Sequence, residues 1–419
     1  AHLPTLKSIQ EKIKGTEFNS EDLQIEAARE FISHYAKSIK NRLGNEVIDL
    51  QDCLGRILAE DIISPINVPP ADNSAMDGYA FNSATLNNPS NEVTLKVKGV
   101  ILAGSFDTSQ LSNFNLKKDT FRIMTGAVIP ATCDTVIPQE LVKASADGVT
   151  FSRESIKARA NVRNKGEDLS EGHPALNAGR LITPSDLGLI ASLGIGQVTV
   201  KQRLKVAIFS TGNEIHPVGM PLKPGGIYDS NRYTLLGMLT RLGVEIIDMG
   251  IVKDDPIELK NILSVAANKA DVIITSGGVS VGQADFTKQV LDELGDVAFW
   301  KLAIKPGRPM AFGKITSNGK EAILFGLPGN PVAVMVTFYQ FVKGALLQMS
   351  GSSGTGPALL NAHLSSELKK RPGRTEFIRA KLHRDNQGTL WATPTGNQGS
   401  GILRSMSEAD CFIILGHEH

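Results

Sequence analysis

The chain has 419 residues, more than one hydrophobic core serves, so several domains are expected. Hydrophobic residues make up 41% and charged residues 21%, near globular averages, and no unbroken apolar run approaches the ~20 residues of a membrane span. Lys plus Arg number 44 against 43 acids, which leaves no overall basic field for non-specific nucleic-acid binding, so any anion site must be local.

From Ser20 to about Lys40, apolar residues at Leu23, Ala27, Phe31, Tyr35 and Ile39 make the stripe of an amphipathic helix. An extended run at Val47–Leu50 follows, and Pro69-Pro70 breaks regular structure. Between about Asn91 and Arg153 apolar and polar residues alternate between Gly, Asn and Asp turns, which predicts a small β-rich domain. A short helix at Leu187–Leu193 and a strand at Gly196–Lys201 lead back to the first domain. From Leu204 the rhythm becomes strand, loop, helix: Lys205–Phe209, Glu245–Met249 and Asp271–Thr275 alternate with helices at Tyr233–Leu242, Pro256–Lys269, Phe286–Leu294 and Val332–Met349. Further strands are expected at Phe299–Ile304, Met310–Phe312 and Ala322–Phe325. After a Gly/Ser linker, strands at Leu359–Leu364, Glu376–His383, Leu390–Thr395 and Cys411–Leu415 close the chain.

The reading is therefore a multidomain α/β plus β protein. Residues 1–66 with 166–200 form a helical and mixed domain, 67–165 an inserted β-rich domain, 201–351 a doubly wound α/β domain, and 352–419 a small β domain. Cys53, Cys133 and Cys411 lie far apart with no CxxC pair, which argues against a disulfide framework and a thiolate zinc site. The first residues, Ala1-His2-Leu3-Pro4, carry no signal-peptide pattern, so a reducing, cytoplasmic location is expected.

The chemistry concentrates where strands end. In Thr275-Ser-Gly-Gly-Val-Ser-Val-Gly-Gln-Ala-Asp285, the glycines Gly277, Gly278 and Gly282 let backbone N–H groups approach an anion, with Ser276 at the strand end and a helix dipole behind; a chain-reversing turn is the plain alternative. Neither a dinucleotide fingerprint nor a Walker pattern fits. Gly326-Leu-Pro-Gly-Asn-Pro331 repeats the design, with Asn330 as N-cap and Pro331 opening the helix; Pro328, Gly329 and Pro331 would fix this loop against a ligand, unless capping alone explains it. Lys301 and Lys305, four apart on one expected strand, should share a face, and with Arg308 form a cationic cluster suited to phosphate or a comparable oxyanion. Glu214, Asp229, Asp254 and Asp285 sit at strand or loop ends, as ligands of a hard divalent cation such as Mg²⁺ would; capping competes as the explanation for Asp285, and most simply explains Asp255. In the first half, Asp77 lies in the long loop Pro69–Ala80 and Thr125 in Met124-Thr-Gly-Ala, each with an ordinary turn as the alternative.

Together these segments resemble the molybdopterin molybdenumtransferase family, the bacterial MoeA proteins and the E domain of gephyrin. The resemblance runs through Asp72-Asn-Ser-Ala-Met-Asp-Gly-Tyr-Ala, Arg122-Ile-Met-Thr-Gly-Ala, Ser210-Thr-Gly-Asn-Glu, Ser276-Gly-Gly-Val-Ser-Val-Gly, Lys305-Pro-Gly-Arg-Pro, Leu327-Pro-Gly-Asn-Pro and Pro394-Thr-Gly-Asn-Gln-Gly-Ser400. It implies a molybdopterin-binding α/β domain and a C-terminal β-barrel, and insertion of molybdate into adenylylated molybdopterin with release of AMP and a need for Mg²⁺. It implies functional roles for Asp77, Thr125, Glu214, Asp254, Asp285, Lys301, Lys305, Pro328, Pro331, Arg379 and Ser400, with Glu214, Asp254 and Asp285 holding Mg²⁺. It also implies a homodimer whose site joins the α/β domain of one subunit to N-terminal loops of the other, and makes the molybdopterin adenylyltransferase a candidate partner. Members usually carry a further strand beyond Gly416-His-Glu-His419, so the last domain is expected to be truncated. The competing readings are that adenylyltransferase itself and a non-enzymatic, peptide-binding dimeric scaffold; a scaffold has no use for Asp254, Lys301 and Lys305, all present here.

Overall fold

A computed structural model describes residues 22–105, 112–277, 285–354 and 356–419. Its contacts group into two compact units: the chain up to Ala59 with Gly179–Thr183 and Val198–His419, and Glu60–Ala178 with Pro184–Gln197.

The first unit opens with α1 (Ile25–Arg42). A six-stranded sheet follows, built from β1 (Lys205–Thr211), β2 (Glu245–Val252), β3 (Val272–Ser276), β4 (Gly295–Lys301), β6 (Pro309–Ser317) and β7 (Lys320–Leu327), with β5 (Ile304–Lys305) lying outside it. The order is β2-β1-β3-β7-β6-β4; the first four strands are parallel, and β6 pairs antiparallel with both β7 and β4. Helices α2 (Ser230–Leu242), α3 (Pro256–Lys269), α4 (Asp285–Leu294) and α5 (Pro331–Met349) cover it. Both faces are buried, which is why these strands read as continuous apolar runs. Val206, Ile208, Val272, Ile274 and Phe325 share one core with α1, α2 and α5. Ala207, Phe209, Ile273 and Leu324 share a second with α3 and α4.

The first helix is where the sequence places it in the chain but not in space. Its stripe Ile25, Ala28, Phe31, Ile32, Tyr35, Ala36 and Ile39 is buried in the α/β core and not in a separate N-terminal domain. Tyr35 meets Phe312 edge-on at 5.6 Å and Phe31 lies 6.0 Å from Trp300. Each fully buried side chain of this size stabilises by about 1.5–3 kcal/mol, enough to decide where an amphipathic helix docks. Among the described residues one helix, α5, is apolar and long enough to cross a bilayer, and its residues from Val332 to Met349 line this same core.

The chain closes with a second sheet, β5-β9-β10-β8, formed with β8 (His363–Leu364), β9 (Thr375–Arg384) and β10 (Leu390–Pro394), with β11 (Cys411–Leu415) also pairing β9. The strand expected at Leu359–Leu364 shrinks to its last two residues. It pairs in parallel with Trp391 and Ala392, and since β10 begins at Leu390 it offers no partner further back, so Leu359 and Leu360 stay exposed.

In the second unit six strands order as Thr135–Pro138, Gly78–Phe81, Asp119–Ile123, Glu92–Ile101, Gly148–Ser152 and Lys143–Ser145. Alternation works as expected: Val93 and Leu95 pack inward with Phe81 and Phe151 while Glu92 and Thr94 face water. Burial pushes the Cys133 thiol here up to about 12. We expect Cys133 to stay unlabelled by maleimide in the folded protein and to react only on denaturation, which mass spectrometry of timed samples checks.

Candidate functional site

The carboxyl ends of β1, β3 and β7 converge. Ser210 and Ser276 point to the α2 side, where Ser210 Oγ donates to Asp229 Oδ1 at 2.8 Å and lies 3.3 Å from Ser276 Oγ. Gly277 has φ +82° and a Cβ there would come within 2.7 Å of the Thr211 carbonyl oxygen, so the position requires glycine on two counts. Its N–H donates to Leu327 O at 3.1 Å, and a Cβ on Gly329 would sit 3.7 Å from Gly277 Cα. Ser276, Gly277, Pro328 and Gly329 thus adjoin one another in one cradle of loops. Gly278 and Gly282 lie outside the described residues.

On the α3 and α4 side of these strand ends is a small recess of about 20 Å³. Phe209, Leu259, Leu263, Leu291 and Leu324 line it, with Thr211, Thr275, Thr287, Lys253 and Asp254 supplying the polar groups. The Thr211 and Thr275 hydroxyls are buried and unpartnered, as is Asn231 Oδ1 on the other face. A buried polar atom left unpaired costs about 1–3 kcal/mol, so the two threonine hydroxyls in the recess mark a place where a polar ligand would recover that cost.

The acids divide into two kinds. Asp255 caps α3, accepting from Ile257 N at 2.9 Å, and Asp229 is buried and engaged. Glu214 and Asp254 are exposed and have no ion-pair partner among the described residues. Their loops are joined, since Asn213 Oδ1 accepts from Asp254 N at 3.3 Å. Asp285 is the first residue of α4, and its side chain lies outside the described set. Among the described residues no three His, Cys, Asp or Glu side chains group closely enough to hold a metal. Two free carboxylates on adjoining loops nevertheless fit Mg²⁺, which takes one or two protein carboxylates and completes its shell with water and phosphate oxygens.

Lys301 and Lys305 do not share a strand. Lys301 ends β4 opposite Pro309, after which Leu302 N donates to Arg308 O and Ala303 N to Leu23 O, so the ladder passes to other partners. Ile304-Lys305 then pairs with Thr375-Glu376 in the second sheet. The same-face argument from i, i+4 spacing holds only for an unbroken strand. Lys305 Nζ lies 3.8 Å from Glu376 Oε1 with the lysine 60% exposed, and Arg308 donates to Asp22 at 2.7 Å, so these two cations have different acidic partners.

Asn330 stands at the N-cap of α5 without capping through its side chain. Instead Val332 N donates to Ser400 O at 3.1 Å, which brings the expected Ser400 beside Pro331. Arg379 is buried, donating to Ser405 Oγ at 3.2 Å and to the Phe377 and Gly399 carbonyls at 3.3 Å each; burial lowers its guanidinium pKa. It holds the Gly399–Ser400 loop and presents no charge at a ligand surface.

In the second unit the two expected residues meet: the Thr125 amide and hydroxyl both donate to Asp77 Oδ1 at 2.8 Å. These bonds, with a smaller contribution from Arg122, hold the Asp77 carboxyl below the usual range. Arg122 is fixed over Tyr79 at 5.0 Å and donates to Gln139 Oε1. A depressed pKa keeps the charge until pH falls through the folded value, so removing a donor must bring protonation on at higher pH. Thr125→Val is expected to raise the Asp77 midpoint in a carboxyl-carbon NMR titration.

Three family descriptions match in chain order. Residues 23–194 match the MoeA N-terminal region (domain I and II), 207–348 a probable molybdopterin binding domain, and 361–418 the MoeA C-terminal region (domain IV). A protein of Haemophilus influenzae named molybdopterin molybdenumtransferase is 44% identical over 375 residues, 89% of this chain and 90% of the relative. The chain belongs to the molybdopterin molybdenumtransferase family. A Nostoc protein of the same name is 34% identical over 92% of this chain and 88% of its own. A crystal structure titled molybdopterin biosynthesis MoeA protein, from Pyrococcus horikoshii, superposes with TM-score 0.77 at 28% identity over 93% of this chain and 95% of its own.

Within this molybdopterin molybdenumtransferase family member, sequence reasoning missed Thr211, Thr275, Lys253 and Asn231. Thr211 stands one residue before Gly212 and Thr275 two before Gly277, but which face of a strand a terminal hydroxyl takes is decided by the pleat, and both faces here are covered. Lys253 adjoins Asp254 and is exposed at the recess mouth with no ion-pair partner among the described residues.

Proposed function

We propose that this protein inserts molybdate into adenylylated molybdopterin, releasing AMP and leaving the molybdenum cofactor. The observation that carries the reading is the meeting of the β1, β3 and β7 ends at Gly277 and Gly329 beside a recess with unpartnered hydroxyls and two free carboxylates. The strand-end loops at Gly277 and Gly329 would lie against the phosphate end of the substrate, with the start of α5 behind them. Glu214 and Asp254, with Asp285, would hold Mg²⁺, which when bound would neutralise charge on the phosphoanhydride as AMP leaves. Lys253, Lys301 and Lys305 would attract molybdate and substrate phosphates as separate point charges. Asp77 with Thr125 in the second unit, Ser400 beside Pro331, a homodimeric assembly, hand-over from the adenylyltransferase and a cytoplasmic location belong to the same reading, as does the four-domain division.

Incubation with adenylylated molybdopterin, Mg²⁺ and molybdate is expected to release AMP in proportion to cofactor formed. Absence of AMP from folded protein would overturn the assignment. Lys305→Ala is expected to weaken molybdate dependence; a normal, molybdate-dependent rate in that variant would remove Lys305 from the site.

A further inference from the structure

The motif Tyr228-Asp-Ser-Asn-Arg232 was expected to offer Asp229 to a cation, and the fold gives it different work. Asp229 is 1% exposed, with Oδ1 accepting from Ser210 Oγ at 2.8 Å and Oδ2 from Arg232 Nε at 2.8 Å. Capping of α2 is its longest contact, 3.4 Å from Arg232 N, so a cap alone does not account for the residue. Arg232 continues to Asp248 Oδ2 at 2.6 Å, where β2 departs from register with β1 and Gly250 N, at φ +75°, donates to Asp248 Oδ1. Two residues beyond Asp229, Asn231 Nδ2 donates to Gly329 O at 2.8 Å. One helical turn is thereby bonded to the end of β1, to β2, through Ser210 to the end of β3, and to the loop after β7.

We propose that the Asp229–Arg232 turn is the positioning element of the site: it sets the spacing of the Ser210–Glu214, Ser276–Gly277 and Pro328–Pro331 loops without touching substrate. The inference rests on the molybdate-insertion reading for its consequence and on geometry for its substance. Bonds from a single turn to three separate segments, and through Ser210 to a fourth, restrict how those segments move relative to one another, and a misplacement of about 1 Å costs on the order of a hundredfold in rate.

Asn231 gives the sharpest test because it is no core residue. In the full-length protein, Asn231→Ala is expected to speed amide exchange at residues 329–332 while β3 stays protected, and to lower AMP release per folded molecule by about tenfold or more. Asn231→Asp keeps the Oδ1 oxygen but turns an acceptor toward the Gly329 carbonyl, so it must be at least as impaired. Were Asn231→Asp active where Asn231→Ala is not, Asn231 would be contacting a ligand through Oδ1 and the proposal would fall. It also falls if exchange at 329–332 is unchanged in Asn231→Ala. A wild-type protein releasing no AMP would end the molybdate-insertion reading alone, since the exchange comparison decides the positioning claim without turnover.

Discussion

Asp254→Asn is expected to cut AMP release by about 10²–10³-fold while leaving the melting temperature where it was. The side chain is exposed, at the recess mouth, and among the described residues no ion pair or side-chain hydrogen bond holds it, so the amide costs the fold little. What it removes is one of two free carboxylates fit for a hard cation, and an amide oxygen does not replace a carboxylate there. The neighbouring residue makes the control. Asp255→Ala removes the α3 cap, whose Oδ1 accepts from Ile257 N at 2.9 Å, and so loses about 0.5–2 kcal/mol of stability with turnover per folded molecule preserved. Parallel thermal melts and AMP assays separate the pair: activity falls at Asp254 and stability at Asp255. Equal turnover in Asp254→Asn and wild type would show that the free carboxylate is a surface charge.

How much of this was written locally in the chain differs by element. The helix Pro256–Lys269 was legible to the residue because Asp255-Pro256 is a local start signal, and the strand Cys411–Leu415 because a short apolar run stands between turns. Glycine at the end of β3 has a structural reason at Gly277, since a backbone that must approach another backbone leaves its trace in the residue itself. Lys301 and Lys305 were misjudged because Trp300-Lys-Leu-Ala-Ile-Lys305 has no internal break; what ends the strand is competition for its hydrogen bonds from Leu23 and Arg308, residues far away or beyond a turn. The docking of α1 was invisible for the same reason. An amphipathic stripe says that a helix packs, and only the volume left beside Trp300 and Phe312 says where. Asn330 carries a further lesson: the right residue stands at the right place, yet the N–H it would cap is offered by Val332 to Ser400, brought in from the last domain.

Gly277→Ala is expected to fold, to lose about 1–3 kcal/mol of stability, and to lose AMP release by about 100-fold. Two costs add at this position. The left-handed backbone, φ +82°, is one that any L side chain pays for, about 1–2 kcal/mol. The second is contact: the new methyl would stand 2.7 Å from the Thr211 carbonyl oxygen, which is backbone at the end of a buried strand and has no rotamer with which to withdraw. Either β1 or the Gly277 loop must therefore shift by several tenths of an ångström. The sheet itself should survive, since Val272, Ile273 and Ile274 are fully buried upstream and their ladder with β1 and β7 is untouched. Gly319→Ala isolates the two costs. Gly319 has φ +77° with nothing within 4 Å of the added methyl, so it pays the backbone strain and no clash, in the β6–β7 turn at the opposite end of β7 from Leu327. The comparison then reads directly: similar losses of melting temperature from the shared strain, with a further loss for Gly277→Ala from the contact, and activity lost in Gly277→Ala alone. If both variants turn over like the wild type, the approach of β3 to Thr211 is a packing detail and the cradle does not hold the substrate.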